Sequence, residues 1–176
     1  MPDKPASLLI AHSDLFTSET GPILDLACGK GHNGLFLAKK GLPITLCDSS
    51  AETLNQAKNS AEQADLKVKT WRVDLEKEGI NPLDENTYGA ILVFRYLHRP
   101  LIPCIKKALM EDGILIYETF TIGQAKFGRP SNPDYLLKRG ELNRWFQKWN
   151  ILHYFEGILE NPQRAVAQIV CRKPVT

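Results

Sequence analysis

The chain lacks the features that define several large classes of protein. Its four cysteines are widely separated and form no CxxC pair, so the sequence predicts neither a metal site nor a redox centre. No apolar run is long enough to span a membrane, and Met1-Pro2-Asp3-Lys4 does not begin a signal peptide. We therefore expect a reduced, cytoplasmic protein with no membrane partner.

The chain also lacks an excess of charge of either sign. A formal net charge of +2 is too small to indicate binding to nucleic acid or to an anionic membrane. The 176 residues are 43% hydrophobic and 24% charged, which is typical of a globular protein. No internal repeat or low-complexity stretch divides the chain, so we predict a single domain over residues 1–176.

Predicted strands and helices alternate over the first two-thirds of the chain. Apolar segments predict strands near residues 23–27, 43–47, 67–73, 88–94 and 114–119, with helices between them. Within residues 1–20 a short helix precedes the first strand, Ser49 or Ser50 can cap a helix over 51–64, and Arg99-Pro100 begins another that runs to about Met110.

The last third of the chain changes character. A helix is predicted around residues 140–148, followed by strands over 149–155 and 165–171 with a turn at Asn161-Pro162. The predicted fold is thus α/β: a Rossmann-like three-layer sandwich with a mostly parallel seven-stranded sheet and a C-terminal antiparallel hairpin.

A glycine-rich turn follows the first strand, and acidic residues follow the next two. The sequence Cys28-Gly29-Lys30-Gly31 leads into a predicted helix, while Asp48 and Asp74 end the second and third strands. Ligands bind beyond the carboxyl ends of strands in open parallel sheets. The Asp48 carboxylate can accept hydrogen bonds from both hydroxyls of a ribose, and Asp74 can accept one from an adenine amino group.

Two interpretations of this turn compete. The spacing Gly29-x-Gly31-x-x-Gly34, with Asp48 about twenty residues further on, matches a dinucleotide-binding fingerprint. An NAD-dependent Rossmann oxidoreductase is therefore one alternative. Two observations disfavour it: Asp25 lies at the end of a strand that is normally apolar in such proteins, and little chain is left for a separate substrate domain.

In these motifs the sequence resembles the class I S-adenosylmethionine-dependent methyltransferases. The stretch 23–31 is similar to their first motif, Asp48 to their second-strand acid, and Val73-Asp74-Leu75 to their adenine-side motif. The resemblance covers residues 20–120. The Cys-Gly-x-Gly-x-Asn pattern at 28–33 is similar to that of the small tellurite-resistance methyltransferases, although Ala27 stands where the class usually has glycine.

The resemblance implies S-adenosylmethionine as the cofactor. It implies that Asp25 orients the methionine end or the loop backbone, that residues 27–31 line the methionine and ribose, and that Asp48 and Asp74 bind ribose and adenine. The residues so assigned to the cofactor are Asp25, Ala27, Cys28, Gly29, Gly31, Asn33, Asp48, Ser49, Asp74, Leu75 and Phe94.

The acceptor is expected after the fourth strand, where the class places residues that face the methyl group. Arg95 can hold an anionic acceptor, and Tyr96 or His98 can orient or deprotonate one. The alternative is that Tyr96 packs against the following helix while His98 and Arg99 are solvated.

The connection after the fifth strand is the second candidate for contact with the acceptor. Residues 120–137 are broken by glycines and prolines and carry Arg129, which is a further acceptor candidate together with Tyr117 and Glu118 near the end of the fifth strand. A long irregular connection at the carboxyl end of a central strand is typical of a functional loop, so we predict a lid over the acceptor. A surface loop in which Arg129 pairs with a nearby acid is the alternative.

We therefore expect an S-adenosylmethionine-dependent methyltransferase that acts on a small-molecule acceptor, because no further recognition domain is present. An RNA methyltransferase remains possible, and basic residues in the later half of the chain would contribute to its binding of RNA. A non-catalytic cofactor-binding protein remains possible as well, since the acceptor residues follow from position alone. The sequence leaves the oligomeric state open.

Overall fold

The computed structural model describes residues 4–176, and its centre is a seven-stranded sheet in the order β3-β2-β1-β4-β5-β7-β6. Strands β1 to β5 pair in parallel, while β7 is antiparallel to both β5 and β6. The predicted sheet and its C-terminal hairpin are confirmed. The strands are β1 (Ile23–Leu26), β2 (Ile44–Asp48), β3 (Val68–Arg72), β4 (Tyr88–Phe94), β5 (Leu109–Phe120), β6 (Asn150–Leu159) and β7 (Arg164–Arg172).

Helices cover both faces of the sheet. They are α1 (Ser7–Ala11), α2 (His32–Ala38), α3 (Ala51–Gln63), α4 (Ile102–Ala108) and α5 (Glu141–Phe146), with 3₁₀ turns at Ser13–Leu15, Arg99–Leu101, Ile122–Lys126 and Pro133–Tyr135. Of the two predicted caps for α3, Ser50 is the one used: its hydroxyl accepts from the Thr53 amide at 3.3 Å. The first three residues of the predicted 1–20 segment lie outside the described residues.

Two apolar cores result, one on each face. The core under α1, α2 and α3, which we call the first face, includes Ile114 and Ile116 of β5. The core under α4 and α5, the second face, includes Leu115 and Tyr117 of the same strand. This alternation follows from the two-residue period of a strand, and it determines which side chains of β5 and β7 meet.

Two predicted boundaries were wrong. The helix predicted to run to Met110 ends at Ala108, because fully buried Leu109 enters β5 and pairs with Tyr88. The strand predicted over 114–119 begins earlier, at Leu109, and contains an irregularity, with Asp112 at φ +59° and a break in the pairing with β4. The short N-terminal helix is confirmed: α1 ends at Ala11, and a 3₁₀ turn follows.

Within residues 4–176, no helix is long and apolar enough to cross a membrane.

Candidate cofactor and acceptor site

A cavity of about 1190 Å³ lies at the carboxyl ends of the parallel strands. It sits where β1 is flanked by β2 on one side and β4 on the other, the point at which the strand order reverses and ligands bind in such sheets. The predicted site residues that line it are Ala27, Cys28, Gly29, Asn33, Asp48, Ser49, Asp74, Leu75, Phe94, Arg95 and Tyr96.

The glycine-rich turn after β1 is compact and partly left-handed. Ala27 and Gly29 both have φ near +53°, a conformation that costs little for glycine and more for alanine. The structure therefore explains why glycine is usual at the position of Ala27. Further along, a Cβ on Gly34 would lie 2.4 Å from Leu46, so glycine there allows α2 to pack closely against β2.

Asp25 lies behind the turn and does not line the cavity. Its carboxylate is fully buried and accepts a hydrogen bond from the Gly34 amide at 2.8 Å. Burial raises the pKa of Asp25 to about 7; the charge of Asp48 adds to this rise, and the Gly34 hydrogen bond opposes it. This hydrogen bond ties Asp25 to the first turn of α2. Gly31 is also buried behind the wall, and its amide donates to the Cys28 carbonyl at 2.9 Å.

Asp48 joins the end of β2 to the glycine-rich turn. One carboxylate oxygen accepts from the Gly29 amide at 2.8 Å, and the other accepts from the Ser50 amide at 2.9 Å. A carboxylate offers about four lone-pair positions, so two backbone donors leave capacity for about two more. The side chain therefore both fixes the turn and presents acceptors to the cavity.

The end of β3 supplies the neighbouring wall. Asp74 is exposed, and its carboxylate accepts from the Glu76 amide at 3.0 Å. Leu75 is buried and gives this part of the cavity an apolar surface. The Val73 amide donates to the Asp48 carbonyl at 3.1 Å, which holds this wall against β2.

The end of β4 supplies the opposite wall. Arg95 is exposed at φ +56°, and its amide donates to the Glu118 carbonyl at 2.8 Å. The Tyr96 hydroxyl is buried and has no hydrogen-bond partner of normal geometry among the described residues. Burial raises the pKa of Tyr96, and the neighbouring carboxylate of Glu76 raises it further. The hydroxyl therefore remains protonated and able to donate.

Two of the predicted acceptor residues are not part of the cavity wall. His98 is half-buried, and its carbonyl closes the 3₁₀ turn that precedes α4. Arg129 is exposed, and its carbonyl accepts from the Gln124 side chain at 3.3 Å. No residue of the 120–137 segment, all of which the structure describes, lines this cavity, so the role of the segment as a lid stays a prediction.

Sequence reasoning missed two parts of the wall. The segment around α1 contributes Ser7 and Ile10, and the Ala6 amide ties it to the Asn33 side chain at 2.8 Å. The β6–β7 turn contributes Asn161 and Arg164. Topology held a signal for this turn: β7 runs antiparallel to β5, so it must begin at the carboxyl edge of the sheet. The buried Nε of Arg164 has no partner among the described residues.

The fold and the cavity define a Rossmann-like domain of the class I methyltransferase type. Residues 9–165 match the family model described as tellurite resistance protein TehB. The chain belongs to the TehB family. This match confirms the resemblance that the sequence analysis drew from the glycine-rich turn and from the acidic residues at the ends of the next two strands.

Known relatives agree with this membership. A probable S-adenosyl-L-methionine-dependent methyltransferase TehB from Haemophilus influenzae is 25% identical over 146 residues, which are 78% of this chain and 49% of the relative. The chain thus spans about half the length of the curated relatives it matches. That relative's description agrees with the cofactor predicted from the sequence.

Solved structures show the same fold. The crystal structure of TehB from Haemophilus influenzae aligns with a TM-score of 0.77 and 21% identity, over 94% of this chain and 61% of that chain. A methyltransferase from Methanosarcina mazei aligns with a TM-score of 0.73 and 14% identity, over 98% of this chain and 100% of that one.

Proposed function

We propose that this protein is an S-adenosylmethionine-dependent methyltransferase whose acceptor is a small, polar molecule. The observation that carries the proposal is one cavity, of about 1190 Å³, that combines a nucleoside-type wall with a polar wall that contains the Arg95 guanidinium, the buried Tyr96 hydroxyl and the buried Nε of Arg164. Ligand pockets are typically about 300–1,000 Å³, so this cavity has room for the cofactor and a small acceptor together.

The cofactor occupies the part of the cavity between the glycine-rich turn and the ends of β2 and β3. The Asp48 carboxylate accepts hydrogen bonds from the ribose hydroxyls. It uses the lone pairs that are not already occupied by the Gly29 and Ser50 amides. Leu75 contacts the adenine, and Asp74 accepts from its amino group. The cofactor supplies the electrophilic methyl group, and these side chains orient it.

The acceptor occupies the part between β4, the β6–β7 turn and α1. Arg95 and the buried Nε of Arg164 hold an anionic group, while the Tyr96 hydroxyl donates a hydrogen bond. Methyl transfer is an in-line displacement, in which positioning of the two reactants lowers most of the barrier. These groups therefore act by fixing the acceptor against the methyl group.

Calorimetry with S-adenosylhomocysteine and with NADH tests the cofactor. We expect binding of S-adenosylhomocysteine and none of NADH; the reverse result would assign the turn to a dinucleotide. The acceptor class is tested by transfer of a tritiated methyl group to a metabolite fraction and to total RNA. Label in RNA alone would favour an RNA methyltransferase, and label in neither fraction would favour a non-catalytic binding protein.

A further inference from the structure

A chain of buried polar side chains leads away from the acceptor part of the cavity. Glu118 lines the cavity and is only 5% exposed. Gln168 lies opposite it in the β5–β7 ladder and donates from Nε2 to the Glu118 carboxylate at 2.5 Å. The Gln168 carbonyl oxygen is 3.1 Å from Nε2 of His153 on β6. Since that oxygen can only accept, the network places a proton on Nε2 of His153.

This chain reaches the N-terminal segment. The His12 ring lies against the His153 ring, with centroids 5.2 Å apart. His12 directly follows α1, which lines the cavity through Ser7 and Ile10. The Glu118 side chain lies on the first face of the sheet, since it continues the alternation of Ile114 and Ile116. The Glu118 carboxylate is therefore held on its side away from the cavity by Gln168, which contacts His153, which in turn contacts His12.

Within the described part of the chain, no cationic side chain forms an ion pair with Glu118. Among residues 4–176 the Gln168 amide is the one side-chain donor that reaches its carboxylate. A buried carboxylate is costly unless it is paired or hydrogen-bonded. Its one fixed hydrogen bond leaves lone pairs available at the cavity wall, where a ligand can supply the missing donor.

The position of Glu118 would place a ligand bound to its carboxylate beside the methyl group of the cofactor. Glu118 pairs in register with Phe94 at the end of β4, and its carbonyl accepts from the Arg95 amide. This strand end is where the proposed methyltransferase would present its methyl group. A donor bound by Glu118 would therefore belong to the acceptor.

We propose that Glu118 selects the acceptor by binding its protonated amine, and that Gln168, fixed by His153, is a positioning residue for that carboxylate. This inference rests on the proposed function and refines its substrate class. An acceptor with an anionic group for Arg164 and a protonated amine for Glu118 is a small zwitterion.

The test uses three probes of similar size on the protein saturated with S-adenosylhomocysteine. Propylammonium, 1-propanol and propionate are titrated at one pH and followed by NMR. We expect propylammonium to bind more tightly than 1-propanol, and Glu118→Gln to weaken it at least about tenfold. The propionate affinity and the calorimetric affinity for S-adenosylhomocysteine should not change. Glu62→Gln, on the exposed side of α3, is the matched control.

The contrary results are distinct. Equal binding of propylammonium by the wild type and Glu118→Gln, or no binding by either, would overturn the inference. A loss of S-adenosylhomocysteine affinity in Glu118→Gln would also overturn it, because Glu118 would then hold the cofactor. Failure of the wild type to bind S-adenosylhomocysteine at all would instead remove the proposed function.

A pair of substitutions at His153 tests the positioning role. His153→Gln keeps a donor for the Gln168 carbonyl, whereas His153→Phe keeps a ring and loses the donor. We expect His153→Phe to weaken propylammonium binding about three- to tenfold and His153→Gln to restore most of it. If packing alone mattered, phenylalanine would be the better replacement, and that order of affinities would contradict the role assigned to Gln168 and His153.

Discussion

At the scale of single residues, Asp48 carries two tasks in one carboxylate. It accepts from the Gly29 amide of the turn and from the Ser50 amide at the start of α3, and it still faces the cavity. That Asp48 lies at the cavity was predictable from its position at the end of the second strand, and its role in binding a ribose stays a prediction. The hydrogen bond from Gly29 to Asp48 was not predictable, because these residues are 19 positions apart and meet only through the pairing of β1 with β2.

Asp48→Ala should weaken S-adenosylhomocysteine binding roughly 10- to 150-fold, the cost of losing hydrogen bonds to a charged group, about 1.5–3 kcal/mol. Calorimetry gives the measurement. Asp74→Ala is the comparison, and a smaller effect is expected because Asp74 is exposed. An unchanged affinity in Asp48→Ala would remove Asp48 from the ribose site.

At the scale of elements, the segment after β5 shows how one side chain can hold an irregular stretch. The Arg99 guanidinium donates to the carbonyls of Asp134 and Leu136, both at 2.9 Å, and to the Glu141 carboxylate at 2.7 and 3.0 Å. The Leu137 amide returns to the Phe120 carbonyl at 2.9 Å. The irregular connection was predictable from its glycines and prolines. The alternative in which Arg99 is solvated is wrong, and the sequence could not show this because the hydrogen-bond partners of Arg99 lie 35 to 42 residues further along the chain.

Arg99→Lys should loosen residues 134–137, because an ammonium group cannot reproduce the planar, forked set of donors. We expect their amide hydrogens to exchange about tenfold faster and the free energy of unfolding to fall by about 1–2 kcal/mol. Hydrogen exchange and urea unfolding measure these effects. Arg139→Lys, at an exposed position nearby, is the control, and equal exchange in both variants would show that Arg99 does not anchor the segment.

At the scale of the whole molecule, the buried Asp25 links stability to pH. Its pKa rises from an ordinary value of 3.8 to about 7 on folding, chiefly because burial disfavours the charged form. Between these values the native state binds a proton that the unfolded state does not. The stabilisation is therefore complete below about pH 4 and is lost as pH rises toward 7.

This contribution should lower the free energy of unfolding by up to about 4 kcal/mol between pH 4 and pH 7, at about 1.4 kcal/mol per pKa unit. Asp25→Asn keeps an acceptor for the Gly34 amide and removes the titration, so its stability should depend less on pH over this range. Urea unfolding across the pH series measures the difference from wild type. Asp14→Asn, at an exposed site, controls for the loss of one carboxylate. Parallel curves for wild type and Asp25→Asn would contradict the assignment.

The sequence by itself determined the order of the strands and helices along the chain, the C-terminal hairpin and the glycine-rich turn with its acids. These follow from local patterns: apolar runs, glycine at left-handed positions and polar residues at strand ends. Only the tertiary structure decided that Arg164 and the α1 segment meet at the cavity, that Asp25 turns away from it, and that Glu118 is held by Gln168. The reason is physical: such contacts join residues far apart in the chain, and Glu118 and Gln168, 50 positions apart, meet only because β5 pairs with β7.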